Sequence, residues 1–161
     1  LAPLFLALQE DFRAVCAARG ASFAVEIPGG DMEAAIDPDI LKRILHNLLD
    51  NAFKHGGAGL QVRLAADARW GKIRMEIRDN GAGMTGAERR RSVRLFHKGD
   101  PARGTTGLGL GLHVVRTLIR QNRGTLAIQS RKGEGTTVTV TLPHVSGKRE
   151  CSQTPTGLPR V

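Results

Sequence analysis

The sequence predicts an α+β fold: a two-layer α/β sandwich in which helices cover one face of a mixed, mostly antiparallel sheet. Two observations lead there. Segments of helical and strand period follow one another as helix, strand pair, helix, strand pair, loop, helix, strand pair. Strands in adjacent pairs set aside the doubly wound class, in which strands and helices alternate singly. The strand segments also alternate apolar with polar residues, as Leu60, Val62, Leu64 and Ile73, Met75, Ile77 do. That leaves one face of the sheet for a helical layer and the other for water. A chain of 161 residues is long enough for one domain with a substantial core.

Taken in order, Leu1, Phe5, Leu8, Phe12 and Val15 recur at helical spacing, and Gly20 is a good stop, which predicts a helix over 1–19. Residues 22–27 and 32–36 read as strands of a hairpin around Pro28-Gly29-Gly30. A second helix covers 41–55, with Asp37 as its cap, Pro38 at its first position and Gly56-Gly57 as its stop. Its apolar stripe is Leu45, Leu48 and Leu49, with Ile44 and Ala52 at the edge. Strands follow at 60–66 and 72–79, joined by a turn at 67–71, and then a short basic helix at 86–94. Residues 96–106 are loop-like. A helix runs from 108 or 110 to about 121, with Leu112, Val115, Leu118 and Ile119 on one side. Strands at 124–130 and 136–142 close the pattern; the second alternates Thr and Val. Residues 1–144 thus form one domain, with the helix of 1–20 at its start, and 145–161 a flexible linker or tail.

Composition narrows the function. A formal net charge of +9 favours anionic ligands. Aromatic residues make up only 4%, with no Tyr, so platforms for stacking single strands are scarce and nucleic acid is not the expected partner. The one dense basic cluster, Arg89-Arg90-Arg91 with Arg94, reads as a solvated helix face. Cys16 and Cys151 have no metal-site spacing, and Cys16 is expected to be a buried, reduced thiol, as in cytosol. No apolar run is long enough to cross a bilayer. The absence of an initiating Met and of a signal peptide suggests a piece of a longer protein. The expectation is a cytoplasmic domain, whether or not its parent is membrane-attached.

Three stretches carry chemistry. Asn47 and Asn51, four residues apart, place two amides on one helix face, as ligand groups or as solvated polar residues. Residues 79–83, DNGAG, put the carboxylate of Asp79 at a strand end beside Gly81 and Gly83, which let a flat group come close. An ionised carboxylate accepts only, so it suits an amino donor such as that of adenine; guanine would present an oxygen there. The same residues also suit an Asx turn closing a hairpin. Residues 107–111, GLGLG, open a helix whose N–H groups converge on a place for phosphate. They form neither a Walker A loop nor a dinucleotide fingerprint.

In this order the stretches resemble the ATP-binding catalytic domain of sensor histidine kinases, the Bergerat fold shared with gyrase B, Hsp90 and MutL. The likeness runs from about residue 36 to 143. NLLDNAFKH is similar to that family's N box, DNGAG to its first glycine box and TGLGLGLHVV to its second; GTLAIQS and GEGTTVTVTLP are similar to its closing strands. The resemblance implies ATP and Mg²⁺ as ligands. It implies that Asn51 ligates Mg²⁺, that Asn47 assists, and that Lys54 reaches the phosphates with His55 near them. By the same likeness Asp79 binds the adenine amine with Thr136 close by, partly through water, and Gly81, Gly83 and Met84 line the adenine pocket. Thr106, Gly107, Leu108, Gly109 and Leu110 wrap the phosphates.

The sequence departs from the family in the lid. Where the F box often has two Phe followed by Tyr-Arg, this chain keeps Phe96 alone, with Val93, His97 and Lys98 at the other positions. Lys98 can still meet the γ-phosphate as a point charge. Thr105 stands where many members have Gly, Gly111 where many have Ala, and Asn122-Arg123-Gly124 replaces a His-Gly-Gly. Hydrolysing relatives carry a Glu at the position of Asn47. An amide is no general base at neutral pH, so phosphoryl transfer is expected rather than hydrolysis.

None of His46, His55, His97, His113 and His144 has an acceptor's sequence context. The resemblance therefore implies an acceptor His on a separate dimerisation domain, and a response regulator receiver domain as the next partner. An isolated domain of this type is expected to be a monomer, in a homodimeric parent. The alternative is a non-catalytic nucleotide-binding or interaction module of the same fold.

Overall fold

The computed structural model of the protein describes residues 1–26, 32–92 and 111–145. Phe5, Leu8 and Phe12 bring the N-terminal segment onto the core, though not as one helix. α1 (Ala2–Asp11) and α2 (Arg13–Arg19) meet at Phe12, whose φ of −94° and ψ of −1° interrupt the helical geometry. α2 ends at Gly20 in the left-handed region, as the sequence indicates. Phe12 stacks on Phe53 with ring centroids 5.0 Å apart. Cys16 is half-buried at the edge of this cluster rather than buried.

β1 (Ser22–Glu26) has no hairpin partner at 32–36. Among those residues only Ala34 pairs, in a single antiparallel bridge to His144. β1 instead runs parallel to β2 (Gln61–Arg69), with Phe23 opposite Val62. Parallel neighbours need a long crossover, and here it carries α3 (Pro38–His55). The alternation of so short a strand fixes which face is buried but not which strand lies beside it.

α3 starts as the sequence predicts: the Asp37 carboxylate accepts from the N–H groups of Asp39 at 2.9 Å and Ile40 at 3.1 Å, with Pro38 in the first turn. Leu41, Ile44, Leu45, Leu48, Leu49, Ala52 and Phe53 are all buried, a wider stripe than the leucines alone suggest. β2 runs past residue 66 to Arg69 and pairs with β3 (Lys72–Asp79) through a two-residue turn. Trp70 and Gly71 make that turn at φ 50° and 69°, the geometry that matches the twist of a tight hairpin. The run Ala65, Ala66, Asp67, Ala68 has little strand propensity of its own and is held by its pairing with β3.

α4 (Gly86–Ser92), α5 (Gly111–Gln121), β4 (Thr125–Arg131) and β5 (Gly135–Pro143) are the remaining elements among the described residues. The sheet has five strands in the order β1-β2-β3-β5-β4. Among the described strands only the β1–β2 pair is parallel, so the mixed, mostly antiparallel α+β sandwich expected from the sequence is the one observed. Its inner face supplies Val62, Leu64, Ile73, Met75, Ile77, Val140 and Leu142, against which α1, α3 and α5 pack, the last through Val115 and Ile119. On the outer face Arg63, Arg74 and Arg78 are exposed and Arg63 pairs with Glu26. Among the described residues no helix is long and apolar enough to cross a membrane. Of the tail at 145–161 only Val145 is described; its N–H donates to the Glu33 carbonyl at 2.8 Å.

Candidate functional site

Asp79, the last residue of β3, stands opposite Thr136 of β5. Its Oδ1 accepts from the N–H groups of Gly81 at 2.8 Å and Thr136 at 3.2 Å. The contact with Gly81 is the Asx turn that the sequence allows. It occupies one carboxylate oxygen, and Oδ2 has no hydrogen-bond partner among the described residues. Burial pushes the carboxyl above its ordinary pKa; the two N–H bonds and the charge of His55, at the end of α3, act in the opposite direction but do not cancel it.

The loop after Asp79 is fitted between two neighbours. A Cβ on Gly81 would lie 2.8 Å from the Gly56 Cα, at the end of α3. Gly83 has φ +59°, and a Cβ there would come within 1.8 Å of the Arg131 carbonyl oxygen. Both glycines are thus required by the approach of backbone to backbone. Met84 follows, its N–H donating to Ser130 Oγ at 2.8 Å. Ser130 Oγ also lies 3.0 Å from the Gly135 carbonyl oxygen and 2.9 Å from Thr136 Oγ1.

Ser130 is the residue that sequence reasoning missed. A single Ser in a strand carries no local signal, and its part emerges only once β4 and β5 pair. A capping box that the sequence does signal, Thr85 with Glu88, then starts α4. Glu88 N–H donates to Thr85 Oγ1 at 3.2 Å and Thr85 N–H to Glu88 Oε2 at 2.8 Å.

Along α3 the Asn47 amide faces the start of α5. Asn47 Nδ2 donates to the Arg43 carbonyl at 2.8 Å, which leaves its Oδ1 as the outward atom. A Cβ on Gly111 would sit 3.4 Å from that oxygen. Asn51, one turn on, is half-buried and its amide has no partner among the described residues. The Lys54 ammonium pairs with Asp50 at 3.1 Å on an exposed surface, and His55 is exposed at the helix end. His46 lies against Phe12, ring centroids 4.9 Å apart.

Asp79, Gly81, Gly83, Met84 and Thr136 therefore meet at one end of the sheet, and Asn47, Asn51, Lys54 and His55 line the adjoining helix. The Gly56–Gly81 contact and the effect of His55 on Asp79 join the two groups. Lys98, Thr106, Gly107, Leu108, Gly109 and Leu110 lie outside the described residues, as do Phe96, His97 and the rest of 93–110. Among the described residues no group of His, Cys, Asp or Glu side chains could hold a metal ion. A cation here would rest on the amide oxygens of Asn47 and Asn51, hard neutral donors of the kind that suits Mg²⁺ alongside phosphates and water.

Comparison with known proteins shows the family of the chain. A family profile described as "Histidine kinase-, DNA gyrase B-, and HSP90-like ATPase" matches residues 36–146. The sensor histidine kinase YvrG of Bacillus subtilis is 30% identical over 141 residues, covering 87% of this chain and 24% of YvrG. The histidine protein kinase DivJ of Caulobacter vibrioides is 36% identical over 118 residues, 73% of this chain and 20% of DivJ. The chain thus spans about a quarter or less of these relatives. Among solved structures, the catalytic domain of the histidine kinase ThkA superposes with a TM-score of 0.78 at 21% identity, over 89% of this chain and 91% of that one. Full-length ShkA in complex with AMPPNP gives 0.77 at 26% identity, over 88% of this chain and 29% of ShkA.

Proposed function

Because the chain belongs to the histidine kinase-, DNA gyrase B- and HSP90-like ATPases, we propose that it binds ATP with Mg²⁺ and is the catalytic domain of a two-component sensor kinase, donating the γ-phosphoryl group to a His on a separate dimerisation domain. The observation that carries the reading is Asp79: one oxygen locked by two backbone N–H groups, the other without a partner among the described residues, at the end of a sheet where glycines let the loop pack backbone to backbone. Such a group takes an exocyclic amine, and adenine has one.

In this reading Asp79 with Thr136 fixes the purine, while Gly81, Gly83 and Met84 line its pocket. Asn51, helped by Asn47, would hold Mg²⁺, which supplies charge neutralisation at the phosphates. Lys54 leaves Asp50 for the phosphates, at little cost because the pair is exposed. Lys98 and Thr106, Gly107, Leu108, Gly109 and Leu110 would enclose the phosphate tail, with 96–106 as lid. Asn47, Asn51 and Lys54 act by orientation and charge, and none can serve as a base for water, which favours transfer over hydrolysis.

The partners follow from the same reading: the dimerisation and phosphoacceptor domain of a homodimeric parent, then a response regulator receiver domain. The domain itself, 1–144, would be monomeric and cytoplasmic. Basic residues on α4, Arg89 and Arg90, are exposed and suit contact with the acceptor domain or an acidic regulator. A second reading, a nucleotide-binding module without transfer activity, is favoured by the altered segment 93–98 alone.

The test is transfer from γ-labelled ATP to a supplied helical acceptor domain of a related kinase. Label on the acceptor His is the expected result. Nucleotide binding with no label on any acceptor would favour the second reading, and steady ATP turnover by the chain alone would contradict the argument from Asn47.

A further inference from the structure

The nucleotide-binding reading gives Ser130 no role, but its hydrogen bonds define one. Its hydroxyl meets three groups: the Met84 N–H at 2.8 Å, the Gly135 carbonyl oxygen at 3.0 Å and Thr136 Oγ1 at 2.9 Å. A serine hydroxyl has one proton to give and lone pairs to accept with. The Met84 N–H can only donate and the Gly135 carbonyl can only accept. Ser130 therefore accepts from the first and spends its single proton on the second. The contact with Thr136 is then filled by the proton of Thr136. With that proton turned onto Ser130, Thr136 Oγ1 has only lone pairs left for anything else. Asp79 is the residue paired with Thr136 across the sheet, and its Oδ2 is also a partnerless acceptor among the described residues.

We infer that Ser130 is a positioning residue that sets purine selectivity: by holding the Thr136 hydroxyl proton it keeps two acceptors, Thr136 Oγ1 and Asp79 Oδ2, side by side, so that the site takes a 6-amino purine and rejects a 6-oxo one. The inference rests on the nucleotide-binding reading above. An amino group has two protons for two acceptors. An oxo group would face lone pairs only, and half-buried acceptors left unmatched are costly. Without the Ser130 hydroxyl, Thr136 can rotate and donate, so the 6-oxo purine gains the partner it lacked. The Met84 N–H and the Gly135 carbonyl lose theirs, and the pocket loop loosens for both purines.

The test is calorimetric titration of the chain with ADP and with inosine diphosphate, which differ at the 6-position. The native chain should prefer ADP by about tenfold or more, the range of one unmatched polar contact. Ser130→Ala should reduce that preference several-fold, and Ser130→Thr, which keeps a hydroxyl, should restore it. In a Thr136→Val background Ser130→Ala should change the preference no further, because the serine acts through the threonine. Thr136→Val alone, which leaves Ser130 in place, should also narrow the preference. An unchanged ADP preference in folded Ser130→Ala, or in Thr136→Val, overturns the inference while leaving nucleotide binding intact. A native chain that binds neither nucleotide overturns both.

Discussion

Replacing Asp79 with Asn separates binding from stability in a way few other changes here would. The amide keeps an oxygen where Oδ1 accepts from the Gly81 and Thr136 N–H groups at 2.8 and 3.2 Å, so the loop and the end of β5 stay anchored. What changes is the other position: the carboxylate oxygen without a partner among the described residues becomes an NH₂ group. A purine amine would then meet a donor instead of an ionised acceptor. A hydrogen bond to a charged group contributes about 1.5–3 kcal/mol, so adenine nucleotide should bind about 10- to 150-fold more weakly.

Stability should move the other way. Burial raises the pKa of Asp79 in the folded chain. A raised folded pKa means that its contribution to stability is fully present below the unfolded value, near about 4, and is lost as pH rises through the folded value. At neutral pH the ionised carboxylate therefore weakens the fold, and Asp79→Asn should melt at or above the native temperature. The gap should close as the pH falls below about 4. Thermal unfolding at both pH values, with calorimetric titration of an ATP analogue at neutral pH, measures the two effects. A variant that melts well below native at neutral pH while still binding nucleotide would show that the carboxylate is a structural turn residue, and the reasoning would fail.

Two further substitutions probe the frame around the site. Gly83→Ala combines a left-handed φ with a Cβ placed 1.8 Å from the Arg131 carbonyl oxygen, so the loop must leave the β4–β5 turn. Denaturant unfolding should show a loss of at least about 2 kcal/mol, together with weakened nucleotide binding. Phe12→Ala removes a fully enclosed ring stacked on Phe53 of α3, and should cost about 3–5 kcal/mol if the N-terminal helices are integral to the core. A loss under about 1 kcal/mol would make them an appendage.

What the sequence could disclose depended on whether the cause was local. The ends of α3 and most of its buried face were legible because Asp37, Pro38, the leucine stripe and Gly56 each act within a turn or two of themselves. The same holds for the α+β class and for β3 and β5, since Thr–Val alternation in β5 and Ile–Met–Ile alternation in β3 state their buried face directly. The proposed hairpin at 22–36 failed for the opposite reason. The strand of Phe23 and Val25 is chosen by a partner nearly forty residues on, across a helical crossover, and no local pattern names it. Likewise Phe12 sits on the helical stripe of the first nineteen residues, and nothing in that spacing announces that the helix is interrupted there.

The candidate site divides along the same line. Asp79 and the glycines beside it were legible because chemistry and turn geometry coincide in five consecutive residues. Ser130 was not, because its importance is the meeting of three segments: the loop at Met84, the end of β4 and the start of β5. The Thr85–Glu88 capping box was there to be read in the spacing, and marks the start of α4 better than the run of arginines does.

The central claim is that this fold holds adenine nucleotide through Asp79 and Mg²⁺ through the α3 amides. Calorimetric titration of the native chain and of Asn51→Ala with a non-hydrolysable ATP analogue, with and without Mg²⁺, tests it most directly. The native chain should bind the analogue and bind it more tightly with Mg²⁺, while Asn51→Ala should keep the Mg²⁺-free affinity and lose the enhancement. A folded native chain that binds no adenine nucleotide under either condition would contradict the claim and leave only the fold in common with the kinases.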